Sequence, residues 1–486
     1  MNAFAQAVKN SRNLNTVPTG ATANGGVAHS DSGDALVSLF FTIGSSRGTD
    51  LSDKFRAAYA QDAEQAVRML FWARDVRGGS GERDTFRKLL KVLEQLTPSL
   101  AQRLVPLVSE YGRFDDLMAF ENESVKQVAL HHWAQQILSG NGLAAKWAPR
   151  KGPVANQLRK RMKMDPKSYR KWLVNHTQVV ESAMCAKAWN TINYSHVPSV
   201  ASSRYSKAFN RHDPVRYSEF KTAALKGDVK INAQALYPYD VLRNVRHGDA
   251  TTALAQWENL PNYLGDAGFI LPVVDTSASM ERALGGSKGH NRLTCKDVAI
   301  SLGLYLADKQ QGAFANMFLN FDDNSKIHYL EGNLLEKLHT IERCEWGGST
   351  NLESAFKEIL RVAVLNNVPD THMPKYLLIL SDMGFNPATS HAPVTMFDMA
   401  QRMFEMHSYK LPTIVWWNLA HEQGGFGGDH NYPVMANTPN TVLVSGFSPS
   451  ILKSVLQAKQ VTPQMVMWDT IMVDRYAPVG EACNSL

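Results

Sequence analysis

The sequence predicts an α-helical body followed by a domain in which strands and helices alternate. Between residues 35 and 262, apolar side chains recur mostly every three or four positions, which is the helical period. After about residue 265, short β-rich runs alternate with helical windows, a pattern typical of a parallel sheet covered on both faces. We therefore predict a flexible N-terminal arm at 1–34, an irregular helical domain at 35–262 and a doubly wound α/β domain at 263–486.

The elements of the α/β part follow from its apolar runs. Strands are predicted at 268–274, 314–321, 376–381, 413–419 and 441–444. Helices are predicted between them at 293–311, 351–365, 394–408 and 448–459. The helical part has no strict repeat period, which argues against a regular solenoid and favours an irregular stack of paired helices.

Composition narrows the class of protein. A hydrophobic fraction of 44% and a charged fraction of 20% are those of a soluble globular protein, and no apolar run reaches the roughly 18 residues of a membrane helix. The first 33 residues lack the basic start and apolar run of a secretory signal. The four cysteines have no C-x-x-C spacing, so the sequence supports neither disulfides nor a zinc site. We expect a cytoplasmic protein, in the host cytoplasm or virion-associated if it is virus-encoded.

Charge is unevenly distributed along the chain. The net charge is +6, but residues 141–250 alone carry 20 basic against 7 acidic residues. Residues 251–486 carry 16 basic against 23 acidic residues. This asymmetry indicates a segment that binds a polyanion, joined to a more acidic one.

Two basic clusters are the candidate nucleic-acid-binding residues. Their cations would neutralise phosphates, and interleaved aromatic residues such as Tyr169, Trp172, Tyr205 and Phe209 are candidates for stacking on unpaired bases. The bland alternative is a solvated helix face with the aromatic rings turned into the core. The candidates are Arg150, Lys151, Arg159, Lys160, Arg161, Lys163, Lys167, Arg170 and Lys171 in the first cluster, and Arg204, Lys207, Arg211 and His212 in the second.

A second candidate site is an all-oxygen set at predicted strand ends. Asp275, Ser277 and Ser279 follow the first predicted strand, Thr350 precedes a helical pattern, and Asp382 ends the third strand. Ligand sites of open α/β sheets lie at the carboxyl ends of strands. Hard divalent cations such as Mg²⁺ prefer oxygen ligands. The alternative is that the serines only cap a helix and Asp382 only ends a strand.

These five residues resemble the metal-ion-dependent adhesion site of von Willebrand factor A domains. In that family D-x-S-x-S, a distant Thr after Gly-Gly and a strand-end Asp hold a metal with one open position. The resemblance implies Mg²⁺ or another divalent cation bound by Asp275, Ser277, Ser279, Thr350 and Asp382, and a protein partner that donates an Asp or Glu.

The helical part resembles the TROVE module of Ro autoantigen proteins, and more closely an uncharacterised relative found in viruses of bacteria, bacteria and plants. The resemblance rests on R-D-x-R-G-G-x-G-E-R-D at 74–84, L-A-A-K-W at 143–147, Y-R-K at 169–171 and V-P-S…Y-x-x-A-F-x-R-H at 197–212. It implies a HEAT-like ring or horseshoe closed by the A domain. It also implies a ribonucleoprotein that holds small structured or single-ended RNA.

We find no persuasive catalytic site, and expect a binding protein rather than an enzyme. D-T-S-A-S is not a G-x-S-x-G nucleophile elbow. The glycines at 285–289 lack the spacing of a phosphate-binding P-loop, so nucleotide binding is not indicated. We expect 281–291 to be either a flap over the metal loop or a longer loop. The main alternative is a virus-encoded structural or assembly protein that uses the A domain and the N-terminal arm for protein contacts. A weaker one is a metal-dependent nuclease.

Overall fold

The computed structural model describes most of the chain, in eleven stretches. They are residues 19–22, 24–47, 49–177, 179–246, 250–265, 268–284, 293–344, 348–387, 394–420, 432–458 and 461–484.

The strands and helices are numbered here in chain order. The strands are β1 (Thr19–Ala21), β2 (Val27–His29), β3 (Ile270–Asp275), β4 (Met317–Phe321), β5 (Ile327–Tyr329), β6 (Tyr376–Ser381), β7 (Thr413–Asn418) and β8 (Thr441–Ser445). The helices are α1 (Ala35–Ile43), α2 (Ser52–Gln61), α3 (Ala63–Arg74), α4 (Arg83–Leu96), α5 (Pro98–Tyr111), α6 (Glu123–Leu138), α7 (Gly142–Trp147), α8 (Pro153–Arg161), α9 (Pro166–His176), α10 (Val180–Cys185), α11 (Ser199–His212), α12 (Pro214–Lys226), α13 (Pro238–Arg246), α14 (Ala250–Glu258), α15 (Cys295–Lys309), α16 (Leu334–Arg343), α17 (Leu352–Leu365), α18 (Met396–Met406), α19 (Leu452–Gln457), α20 (Pro463–Ile471) and α21 (Ala477–Asn484).

The chain divides into two compact units that do not follow chain order. The first, here called the sheet unit, comprises Met1–Asp62, Tyr237–Leu242 and Asn262–Val473. The second, the helical unit, comprises Ala63–Leu236, Arg243–Pro261 and Asp474–Leu486. None of the described helices is both long and apolar enough to span a bilayer.

The sheet unit is built on a six-stranded mixed sheet of order β5-β4-β3-β6-β7-β8. The strands from β4 to β8 in this order run parallel, while β5 pairs antiparallel with β4 at the edge. Every residue of β3 and β8 is buried, which agrees with the continuous apolar runs in their sequences. The carboxyl ends of β3 and β6 therefore lie next to each other at one edge of the sheet.

Helices pack closely on this sheet where glycine allows it. In α15, a Cβ at Gly303 would lie 2.6 Å from Cγ2 of Val274 on β3. At the end of α1, a Cβ at Gly44 would lie 2.5 Å from the carbonyl oxygen of Ser445 on β8. The Ser445 hydroxyl also donates to the carbonyl of Phe40 at 2.9 Å. Helix α1 is thus part of the sheet unit.

The first described residues form an antiparallel hairpin, β1–β2, that also belongs to the sheet unit. His29 and Tyr432 exchange backbone hydrogen bonds of 2.9 and 3.2 Å. Asn24 and Gly25 lie in its turn, and Asn-Gly is a common hairpin signal. Of the predicted flexible arm, residues 1–18 lie outside the described residues, whereas 19–22 and 24–34 are part of the sheet unit.

The helical unit is organised around buried ion pairs. The fully buried carboxylate of Asp116 accepts from the Nε atoms of Arg74 at 2.7 Å and of Arg87 at 2.6 Å, and from the backbone N–H of Arg113 at 2.9 Å. In the turn after α3, the buried Asp75 pairs with the guanidinium of Arg475. Arg74 is therefore engaged inside the protein rather than available to phosphates.

The predicted fold class is wrong as a whole, although residues 35–262 are mainly helical, as expected. The family resemblances imply a HEAT-like ring or horseshoe at 35–262 followed by a doubly wound von Willebrand A domain at 263–486. The structure instead has a mixed sheet whose unit includes residues 19–62, and a helical unit that includes residues 474–484. The edge strand β5 has three residues, too few to give a periodic signal. The apolar helix α1 is predicted as part of the helical body because its partner β8 is distant in sequence.

Replacement of Asp116 by alanine should destabilise the helical unit strongly. The change leaves the buried Arg74 guanidinium without its carboxylate, and breaking a buried ion pair in this way costs about 3–5 kcal/mol. Chemical denaturation should show this loss of unfolding free energy. The matched control is Asp84→Ala, because Asp84 forms an exposed pair with Arg83 and its removal should cost less than about 1 kcal/mol. Equal losses in the two variants would contradict this role for Asp116.

Candidate cation site and basic helices

Three loops meet at the carboxyl edge of the sheet. Asp275 is the last residue of β3, and Asp382 directly follows β6, its parallel neighbour. The hydroxyl of Ser381 donates to Oδ2 of Asp275 at 2.6 Å, which ties the two strand ends together. The structure thus places the two predicted carboxylates on adjacent strand ends, as the sequence predicts.

The loop after β3 supplies two hydroxyl groups beside the Asp275 carboxylate. The backbone N–H of Ser277 donates to Oδ1 of Asp275 at 2.9 Å, which folds the loop back onto its own first residue. The Oγ atoms of Ser277 and Ser279 are 3.0 Å apart. Ser277 is buried and Ser279 is exposed, so these oxygens lead from the interior towards solvent.

The loop that carries Thr350 is held against both of the others. The carbonyl of Gly348 accepts from the N–H of Ala278 at 3.5 Å, and the carbonyl of Thr350 accepts from the N–H of Asn386 at 3.2 Å. The structure therefore brings the loops of all five predicted metal ligands to one edge. Of the predicted flap 281–291, residues 285–291 lie outside the described residues. At its base, Ala283 forms a β-bridge with Thr294.

The electrostatics of the site favour a bound proton or a cation. Asp275 is completely buried, and this burial, together with the nearby charge of Asp382, raises the pKa of the Asp275 carboxyl above its ordinary value. Across the described stretches, neither Asp275 nor Asp382 is paired with a lysine, arginine or histidine. A divalent cation would relieve both the desolvation and the repulsion.

The donor set fits a hard cation rather than a soft one. It consists of carboxylate and hydroxyl oxygens, which suit Mg²⁺ or Mn²⁺. The described residues contain no group of three or more His, Cys, Asp or Glu side chains placed to hold a metal. A cation here would therefore depend on the hydroxyls of Ser277, Ser279 and Thr350 as well as on the two carboxylates.

Sequence reasoning missed several polar residues that order this edge. The Nδ2 atom of Asn24, in the N-terminal hairpin, donates to the Thr350 hydroxyl at 2.9 Å. Oδ1 of Asp323, in the loop after β4, accepts from the Ser349 hydroxyl at 2.9 Å and from Nδ2 of Asn351 at 3.2 Å. Strand order alone could have placed Asp323 here, whereas no local signal connects Asn24 with Thr350, 326 positions away.

The basic clusters lie on the surface of the helical unit, and no acidic side chain among the described residues is paired with them. On α9, Lys167 and Lys171 are exposed one turn apart, while Tyr169 and Leu173 on the opposite face are buried. On α11, the exposed Arg204, Lys207 and Arg211 follow helical spacing, opposite the buried Phe209. No side-chain hydrogen bond or ion pair is described for Lys151, Lys160, Lys163, Lys167, Arg170, Lys171, Arg204, Lys207 and Arg211.

Four members of the clusters make local contacts. Arg150 donates to the carbonyls of Lys146 and Ala148 near the end of α7. Arg159 donates to Asn156 at 3.0 Å, and Arg161 donates to Gln127 and Gln157. The His212 ring stacks on Trp189 with the ring centroids 4.5 Å apart.

The predicted aromatic partners lie mostly inside the helical unit. Tyr169 is 1% exposed and donates to the carbonyl of Pro149, and Phe209 is fully buried. Trp172 is half-buried, with the His176 ring stacked on it at 4.4 Å. Base stacking by Tyr169 and Phe209 is therefore incompatible with this packing. The exposed part of the two clusters consists mainly of the basic side chains.

Two families and one viral protein resemble this chain. Residues 270–476 match DUF7788, and residues 22–111 and 153–268 match DUF2828, both described as domains of unknown function. An uncharacterised protein of Acanthamoeba polyphaga mimivirus is 27% identical over an alignment that covers 92% of this chain and 86% of the viral protein. The similarity thus extends over both units.

Proposed function

We propose that the protein binds RNA through the exposed basic side chains of its helical unit. The observation that carries the proposal is that none of the twelve lysine and arginine side chains in the two basic clusters has an acidic partner in the described part of the chain. Arg74, Arg87 and Arg113 of the same unit, by contrast, are bound to Asp115 and Asp116. Unpaired surface cations attract a polyanion and release its counterions.

The RNA contacts would be mainly to phosphates. Phosphate contacts position a protein on nucleic acid without reading its sequence. The buried Tyr169 and Phe209 support this mode, because their rings are not accessible to unpaired bases. Small structured or single-ended RNA, the class that the resemblance of the helical part implies, would be recognised by its backbone.

We further propose that the sheet unit holds Mg²⁺, or another hard divalent cation, between the loops of Asp275, Thr350 and Asp382. The ion would supply positive charge to which an Asp or Glu of a protein partner can bind. Asp275 and Asp382 would balance its charge, and the hydroxyls of Ser277, Ser279 and Thr350 would provide neutral oxygens. The proposed activity is binding, with no catalytic step.

Removing basic charge from α8 and α9 should weaken RNA binding and flatten its salt dependence. We expect the triple variant Lys160→Gln, Lys167→Gln, Lys171→Gln to reduce the slope of log K against log salt. The reduction should be about 0.7 for each phosphate of single-stranded RNA that the variant no longer neutralises. Fluorescence anisotropy with a labelled single-stranded RNA and a labelled RNA hairpin measures this slope.

The control removes the same charge from exposed lysines of the sheet unit, Lys326→Gln, Lys357→Gln and Lys410→Gln. Equal effects of the two triple variants would show a non-local charge effect and contradict the proposed surface. A protein without bound nucleic acid, whose self-association requires the first 33 residues, would favour the assembly alternative. RNA that is cleaved when Mg²⁺ is added would favour the nuclease alternative.

Asp275→Asn should abolish the response of the protein to Mg²⁺ while raising the stability of the cation-free protein. Asparagine has the same shape, and the Ser381 hydroxyl can accept from its amide, but the buried negative charge beside Asp382 is removed. Thermal unfolding in chelator and in MgCl2 measures both effects. The exposed Asp53→Asn is the matched control and should keep the Mg²⁺ response. A Mg²⁺-dependent shift that persists in Asp275→Asn would contradict the site.

A further inference from the structure

The N-terminal hairpin is docked on the loops that form the proposed cation site. The hydroxyl of Thr22 donates to the carbonyl of Phe385 at 2.6 Å, and the N–H of Gly26 donates to the same carbonyl at 3.1 Å. Phe385 lies three residues after Asp382. The hairpin is thus attached to the loop that carries the second carboxylate.

Asn24 connects two of the three loops. One N–H of its amide donates to the Thr350 hydroxyl and the other to the carbonyl of Gly384. Its side chain is exposed, so these two bonds are not a consequence of burial in the core. A hydroxyl oxygen has two lone pairs, so Thr350 can accept from Asn24 and still offer a lone pair to a cation.

We propose that Asn24 is a positioning residue of the cation site and that docking of the hairpin and binding of the cation stabilise each other. This inference rests on the cation site proposed above. The hydrogen bond from Asn24 fixes the orientation of the Thr350 hydroxyl, and the bond to Gly384 fixes the loop after Asp382. Partners of this kind, which orient the ligands of a metal, affect its affinity about 10–100-fold.

Gly26 makes this docking possible because the backbones approach closely. A Cβ at this position would lie 2.6 Å from the carbonyl oxygen of Phe385 and 2.7 Å from that of Asn386. Both contacts are with backbone, so a side chain at position 26 would push the hairpin away from the loop. Gly26→Ala therefore separates the hairpin from the site while leaving every proposed cation ligand, and Asn24 itself, in the chain.

Coupling between two binding events is reciprocal. If the hairpin raises the affinity for the cation, the cation must stabilise the docked hairpin by the same factor. Asn24 with a purely structural role would contribute to hairpin docking equally with and without Mg²⁺. The response of the hairpin to Mg²⁺ therefore distinguishes a positioning role from a structural one.

The test measures Mg²⁺ affinity by calorimetry, and hydrogen exchange of the peptide that covers residues 19–29, in the full-length protein. We expect Asn24→Ala and Gly26→Ala to weaken Mg²⁺ binding about tenfold or more. We expect MgCl2 to slow exchange of this peptide in the wild type but not in Asp275→Asn. Thr19→Ala, an exposed change in the same hairpin, is the control and should behave as the wild type.

Each outcome decides between the two proposals. The coupling would be overturned, and the cation site left intact, if Asn24→Ala and Gly26→Ala both bound Mg²⁺ with wild-type affinity. The same conclusion would follow if the wild type bound Mg²⁺ but hydrogen exchange of its hairpin did not change. A wild-type protein that does not bind Mg²⁺ would overturn the cation site and the coupling together. Weakened binding in Thr19→Ala as well would assign the effect to hairpin stability and overturn the role of Asn24.

Discussion

The fully buried carboxylate of Asp275 is the constraint on which the site depends. It ends a central strand, accepts hydrogen bonds from Ser277 and Ser381, and lies near the charge of Asp382, while no basic side chain of the described residues forms an ion pair with it. A carboxyl in this position either binds a proton and is neutral, or stays ionised with its charge compensated by a cation. The oxygen atoms of the neighbouring loops are of the kind that a hard cation requires.

The two units differ in whether their buried or clustered carboxylates are paired with basic side chains. The helical unit pairs the carboxylates of Asp75, Asp115 and Asp116 with arginines, and so leaves an excess of cations on its surface helices. In the sheet unit, Asp275 and Asp382 lie together at the ends of two adjacent strands, and neither is paired with a basic side chain within the described stretches. A polyanion suits the first arrangement and a divalent cation suits the second, which is why the proposed function has two separate ligands.

The local parts of this account could be predicted from sequence, and the long-range parts could not. Strands β3 and β6 are short apolar runs followed by polar side chains, so their existence and the placement of Asp275 and Asp382 at strand ends follow from the chain itself. The docking of Asn24 on Thr350, the packing of α1 on β8 and the pairing of Arg475 with Asp75 join residues more than 300 positions apart. The periodicity of apolar residues contains no information about such contacts. The mixed sheet and the chain segments that make up each unit therefore differ from the prediction. The sequence also leaves undecided whether Tyr169 is buried, because a tyrosine between lysines fits either face of a helix.

The most direct test of the cation site is crystallographic. Crystals of the protein grown with MnCl2 should show an anomalous difference peak surrounded by oxygen atoms of Asp275, Ser277 and Ser279, with Thr350 and Asp382 next to it. Mn²⁺ accepts the same oxygen ligands as Mg²⁺ and can be identified by its anomalous signal. A map without such a peak at saturating Mn²⁺, with Asp275 bonded only to Ser277 and Ser381, would contradict the account.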